Sequence, residues 1–129
     1  MEKIIRIGEK DIKMASTAGT LYRYRMQFKR DFMKDLAALD VALHNIEKAK
    51  ANDQYAEFNV LQLEVFEQIA WSMAKTADKT IPEIDDWMDQ FDTFDIYQAL
   101  PQIMDIASSN FINNNEKKNL VPVEVMENR

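Results

Sequence analysis

Hydrophobic and polar residues change period along this chain. Near the N-terminus they alternate. Ile5 and Ile7 stand in a run that begins at Lys3, Gly8-Glu9-Lys10-Asp11 has turn composition, and Ile12-Lys13-Met14 resumes the alternation, which predicts a β-hairpin. Ser16-Thr17-Ala18-Gly19-Thr20 then supplies the small polar residues that begin helices, with Thr17 or Thr20 as N-cap. A short helix carrying Leu21, Tyr24 and Phe28 at helical spacing follows.

From Asp31 onward the period is that of an α-helix. Phe32, Leu36, Leu39, Leu43 and Ile46 recur at intervals of four, three, four and three, one apolar stripe on a helix of roughly four turns. Asp31 is placed to cap it, and Lys48 and Lys50 sit at its end, where cations complement the helix dipole. Residues 55–77 are the most apolar segment. Phe58, Leu61, Val65, Ile69 and Met73 share one face, and Leu63, Phe66, Ala70 and Ala74 spread round it, so this helix belongs in the middle of a bundle or against a partner. Lys79-Thr80-Ile81-Pro82 breaks the run, and Pro82 is favoured at the first position of the next helix because its missing N–H would be unpaired there. That helix carries Trp87, Phe91 and Phe94 and ends near Asp92-Thr93. Asp95 caps a last helix with Ile96, Leu100, Ile103, Ala107 and Phe111, and Pro101 inside it predicts a kink or a break. The polar run from Asn113 to Lys118 and the short Val121-Pro122-Val123 segment predict a flexible tail over 113–129. The fold class expected is mainly α: an N-terminal β-hairpin at about 1–15 followed by a single-domain bundle of about five helices, all within 1–112.

Composition supports long helices over many strands, since 129 residues include only two glycines and three prolines. With no cysteine, disulfides, thiolate ligands and a cysteine nucleophile are all excluded. There is no apolar leader after Met1-Glu2-Lys3 and no run long enough to span a bilayer, which predicts a soluble protein of the cytoplasm with no membrane partner. The formal net charge is −6, a balance that repels nucleic acid. It is unevenly spread. Residues 1–50 carry 11 Lys and Arg against 7 Asp and Glu, a surplus of +4, whereas residues 51–129 carry 5 against 15, a deficit of −10. Such polarity lets the halves attract within one molecule or between copies stacked head to tail, so self-association joins the expected partners.

Candidate chemistry is sparse. His44 is the only histidine, so a histidine metal cluster is excluded, and it lies beside the Leu39/Leu43 stripe as a structural or surface residue. Asp85, Asp86, Asp89, Asp92 and Asp95 offer carboxylates at helical spacing that suit Mg²⁺ or Ca²⁺, but without a glycine-bearing loop they read as a solvated face opposite Trp87, Phe91 and Phe94. An acidic docking surface, for a basic partner or for Arg23, Arg25, Lys29 and Arg30 of the same fold, is the other use of that series. Those four cations, with Tyr22 and Tyr24 between them, are the one candidate nucleic-acid patch, and a poor one in an acidic protein. Gly8 and Gly19 begin no phosphate loop. No catalytic residue, metal or cofactor is expected. What remains is apolar surface: eight methionines suit repacking against partners, although Met73, Met88 and Met104 singly, and Trp71 and Trp87, read first as core, and Trp71, Trp87, Phe91, Phe94 and Tyr97 are the candidate protein-interaction residues.

Two stretches carry a resemblance. The first is Thr17-Ala18-Gly19-Thr20-Leu21-Tyr22-Arg23-Tyr24-Arg25 after the hairpin, followed by Arg30-Asp31-Phe32-Met33-Lys34-Asp35-Leu36. The second is Ile81-Pro82-Glu83-Ile84-Asp85-Asp86-Trp87-Met88-Asp89-Gln90-Phe91, running into Phe94-Asp95-Ile96-Tyr97 and Leu100-Pro101. In this order they resemble the tail assembly chaperones of siphophages and prophages of Gram-positive bacteria, over most of the chain up to about Asn110. The resemblance implies a non-enzymatic protein that coats the tape measure protein, helps the tail tube protein assemble round it and is absent from the finished virion. It also implies a longer product made by ribosomal frameshifting near Glu116-Lys117-Lys118-Asn119, and it transfers no individual contact residue. The alternatives are an acidic regulatory or anti-host-defence adaptor that binds a basic protein, and an enzyme using the Asp85 to Asp95 series with Mg²⁺.

Overall fold

A computed structural model describes residues 2–107 of the chain. The chain is mainly helical, an N-terminal antiparallel hairpin followed by five helices. The elements are β1 (Glu2–Ile7), β2 (Lys10–Ala15), α1 (Ala18–Phe28), α2 (Phe32–Ala51), α3 (Val60–Ala77), α4 (Ile84–Met88) and α5 (Ile96–Ala107). Phe111 and the tail over 113–129 lie outside the described residues.

The hairpin register pairs Ile5 with Ile12 and Ile7 with Lys10, leaving Gly8 and Glu9 as a two-residue loop. Gly8 has φ 60°, the left-handed value that a glycine-first hairpin turn needs. Directly paired residues share a face, so Ile5, Ile7, Ile12 and Met14 point together into the core, where all but the half-buried Ile12 are fully buried. Ile4, on the other face, stays exposed.

Thr17, rather than Thr20, caps α1. Its hydroxyl accepts from Gly19 N–H at 3.1 Å, and the Thr20 hydroxyl accepts in return from Thr17 N–H at 3.1 Å. Helix α1 closes at Lys29, whose left-handed backbone (φ 59°) lets its N–H reach Arg25 C=O. Asp31 caps α2 through Lys34 N–H. Helix α2 runs for 20 residues, longer than the roughly four turns of its stripe, because alanines and lysines continue it past Ile46.

Helix α3 is the centre of the fold and touches α1, α2, α4, α5 and β2. From Ile69 to Ala74 every residue is buried, as expected of a helix covered on all sides. Its start differs from the apolar pattern. Asn59 and Gln62 cap each other's backbone N–H at 2.8 Å, so the helix begins at Val60 rather than at 55. Phe58 is buried from outside the helix, whereas Leu61 is 55 % exposed despite lying on the expected stripe.

Two further expectations are corrected. Pro82 is not the first residue of α4: Glu83 is the N-cap, and the Pro82 carbonyl accepts the Trp71 indole N–H at 3.0 Å. Helix α4 is only five residues long, so Phe91 and Phe94 lie beyond it and their spacing reflects a turn folding back onto Trp87. Asp95 starts α5 as expected, accepting from Tyr97 N–H at 2.9 Å. The helix runs unbroken through Pro101, because burial of Leu100, Ile103 and Met104 around it outweighs one lost backbone bond.

Helix α5 lies antiparallel to β1. Gln98 Oε1 accepts from Gly8 N–H at 2.8 Å, Gln102 Oε1 accepts from Arg6 N–H at 3.1 Å, and Gln102 Nε2 donates to Arg6 C=O at 3.1 Å. These side-chain amides satisfy the edge of a strand that has only one β neighbour.

A candidate protein-interaction surface

The five aromatic residues picked out by the sequence do not form one surface. Trp71 and Trp87 are each only 2 % exposed and belong to the core. Trp71 meets Phe28 edge-on at 5.8 Å and is fixed by its bond to Pro82. Trp87, Phe91 and Phe94 do come together, with centroids 5.0 to 5.9 Å apart, and Phe66 joins them through Phe94 at 5.2 Å. This cluster seats α4 on α3; Phe91 and Phe94 are half-buried at its rim. Tyr97 alone is largely solvent-facing, its ring against the buried Phe58 at 5.3 Å.

The surplus of apolar surface lies elsewhere, around the α2–α3 connection. Asp53 adopts φ 58° to end the turn after α2, and Gln54 N–H donates back to Ala49 C=O at 2.7 Å. The chain then crosses irregularly to Asn59. Because Phe58 plugs the core and the Asn59 cap fixes where α3 begins, the neighbours of Phe58 are turned outward. Tyr55 is 84 % and Val60 82 % exposed, and Leu61 and Leu63 are exposed beside them. Tyr55 and Tyr97 line a hollow of about 230 Å³ with Ile46 and Lys50. A second hollow of about 210 Å³ runs past Leu61 to Leu39 and Val65. Tyr55, Val60, Leu61, Leu63 and Tyr97 together offer on the order of 500 Å² to solvent, backbone and phenol oxygens included, spread over the two sides of the α2–α3 connection. No periodicity argument finds Tyr55 or Val60; the Asn59-x-x-Gln62 capping box is the signal in the sequence that does.

The polar candidates are accounted for separately. His44 is exposed; its Nδ1 lies 2.8 Å from the Asp40 carbonyl, and this bond, then the Asp40 carboxylate, raises its pKa above 6.5. Asp85, Asp86, Asp89, Asp92 and Asp95 are all exposed, and among the described residues no cluster suited to a metal ion forms. Nor does any ion pair join them to Arg23, Arg25, Lys29 or Arg30 among the described residues. The basic cluster is divided. Arg23 donates to the Thr76 hydroxyl at 3.0 Å, Arg25 lies over the Tyr22 ring at 5.6 Å, and Arg30 forms a forked pair with Asp35 at 2.6 and 3.0 Å. Asp35 also accepts from the fully buried Tyr24 hydroxyl at 2.7 Å. Burial first, and then this bond, push the Tyr24 pKa well above the usual phenolic range. Among the described residues no helix is long and apolar enough to cross a membrane.

Comparison with protein-family models, with curated proteins and with solved structures finds no match.

Proposed function

We propose that this chain is a non-enzymatic protein that holds other polypeptides, and that it does so as a tail assembly chaperone acting on a tape measure protein. The observation that supports binding is the outward-facing apolar surface of Tyr55, Val60, Leu61, Leu63 and Tyr97. The phage assignment rests on the resemblance of Thr17–Leu36 and Ile81–Pro101 to that family. The physics of the surface suits the role. Burying about 500 Å² on this chain is worth at most roughly 12 kcal/mol gross, against an association cost of about 4–15 kcal/mol. One copy therefore binds weakly and releases readily, while many copies along one extended helical client are held by multivalency.

The test is co-expression of the full chain with a tape measure protein, scoring soluble client and co-purification. The wild type raises the soluble client, and the triple variant Tyr55→Ser, Val60→Ser, Leu61→Ser loses that effect while keeping its own helicity and melting temperature. No gain from the wild type refutes the assignment. The exposed acids from Glu83 to Asp95 favour a second reading, an acidic adaptor for a basic protein. Binding to such a partner falls steeply with salt, whereas client holding by Tyr55 and Val60 does not.

A further inference from the structure

Helix α1 carries an outward stripe of unusual composition. Tyr22, Arg25, Met26 and Lys29 are spaced i, i+3, i+4 and i+7, so they share one face, and all four are exposed. Two large apolar side chains thus alternate with two cations. Arg25, Met26 and Lys29 of this stripe line a groove of about 470 Å³ that runs to the start of α2, together with the half-buried Leu21, the edge of the buried Phe32, Arg30 and Asp31. The other charges lining it are already committed: Arg30 is forked onto Asp35, and Asp31 caps α2. Among the described residues neither Arg25 nor Lys29 joins an ion pair. The lining thus sets Arg25 and Lys29, which join no ion pair, against the single exposed carboxylate of Asp31, a local positive surplus in a chain whose net charge is −6.

We propose that this groove between α1 and α2 is a docking site for an acidic amphipathic helix of a partner protein. Apolar side chains of that helix lie on Met26 and the exposed part of Leu21, and its flanking carboxylates meet Arg25 and Lys29. A groove in this form suits a peptide better than nucleic acid. Its floor is aliphatic apart from Phe32, and two rim cations are too few to draw a polyanion onto an acidic protein. The site lies roughly 20 Å along α2 from Ile46 and the hollow at Tyr55, although Arg30 borders both it and the hollow past Leu61, and it does not rest on the chaperone reading.

The experiment uses the full chain and a fluorescently labelled synthetic helix with leucines on one face and glutamates flanking them, read by anisotropy at low and moderate salt. The glutamate helix binds, and the same helix with lysines in place of the glutamates does not. The double variant Arg25→Glu, Lys29→Asn weakens binding about tenfold or more, because it reverses one rim charge and removes the other. Asn is chosen at 29 because it tolerates the left-handed backbone there. Met26→Ser, at an exposed position, weakens binding several-fold without altering the thermal melt. Equal affinity for the two helices, or indifference to the double variant, overturns the proposal. Tighter binding of a labelled oligothymidine than of the glutamate helix overturns it in favour of nucleic acid. Concentration-dependent self-association that the double variant abolishes overturns it in favour of a second copy.

Discussion

Replacing Asp35 with alanine probes the one charged side chain that is buried among the described residues. The carboxylate is 7 % exposed and takes three hydrogen bonds, from the Tyr24 hydroxyl at 2.7 Å and from Arg30 at 2.6 and 3.0 Å. The two donors differ in what they lose. The Arg30 side chain is 38 % exposed, so water recovers part of its solvation and its share is discounted to about 1 kcal/mol. Tyr24 is fully buried, and a hydroxyl left unpaired there costs about 1–3 kcal/mol. Asp35→Ala is therefore expected to lose about 3 kcal/mol, a large part of a typical domain's 5–15 kcal/mol. Urea unfolding followed by Trp71 and Trp87 fluorescence measures it as a midpoint lowered by about 1.5 M at constant slope. Tyr24→Phe alone removes the same hydroxyl and costs about 1–2 kcal/mol, and once it is gone Asp35→Ala no longer orphans anything on Tyr24. The double variant should fall short of the sum of the singles by about 1 kcal/mol or more. A loss below about 1 kcal/mol for Asp35→Ala, or strict additivity with Tyr24→Phe, refutes the idea that this carboxylate acts through the buried phenol.

Tyr24 also sets an alkaline limit. Because folding raises its pKa above 10.0, the protonated phenol contributes stability that is complete below pH 10.0 and is lost as pH rises above it; absorbance titration should show one of the four tyrosines ionising only with unfolding. His44 is expected to titrate above 6.5 when followed by NMR, so its small contribution is complete below pH 6.5 and fades as pH rises through the elevated value. Asp40→Asn lowers that pKa only in part, because the larger cause is the Asp40 backbone carbonyl, which asparagine keeps. Asn59→Ala removes the side-chain half of the α3 capping box and is expected to cost about 1 kcal/mol in thermal or urea unfolding, whereas Asn59→Asp stays within a few tenths.

Most of the architecture is legible in the sequence wherever the signal is local. The alternation around Ile5 and Ile12, the Thr17 and Asp31 caps and the unbroken burial of Ile69 to Ala74 all follow from residues within a turn or two of one another. The misreadings occur where a distant contact decides. The spacing of Trp87, Phe91 and Phe94 imitates a helical stripe, yet the three rings are gathered by a turn after a five-residue helix. Leu61 fits the α3 pattern but sits in the first turn, short of anything that covers it. Of the candidate interaction residues, burial claims Trp71 and Trp87 because the core needs their volume, and a single sequence does not say how much volume a core needs. The groove at Met26 was out of reach for a related reason: the cluster from Arg23 to Arg30 reads as one basic patch until Asp35 and Thr76 withdraw two of its members.

The two glutamines of α5 that close the open side of β1 tie residues 90 and 96 positions apart in the chain. The first strand therefore cannot take its final seat until nearly all of the described chain has left the ribosome. Until then its outward N–H and C=O groups stand ready to pair with any passing strand. The open side of β1 is thus closed only by residues far along the described chain.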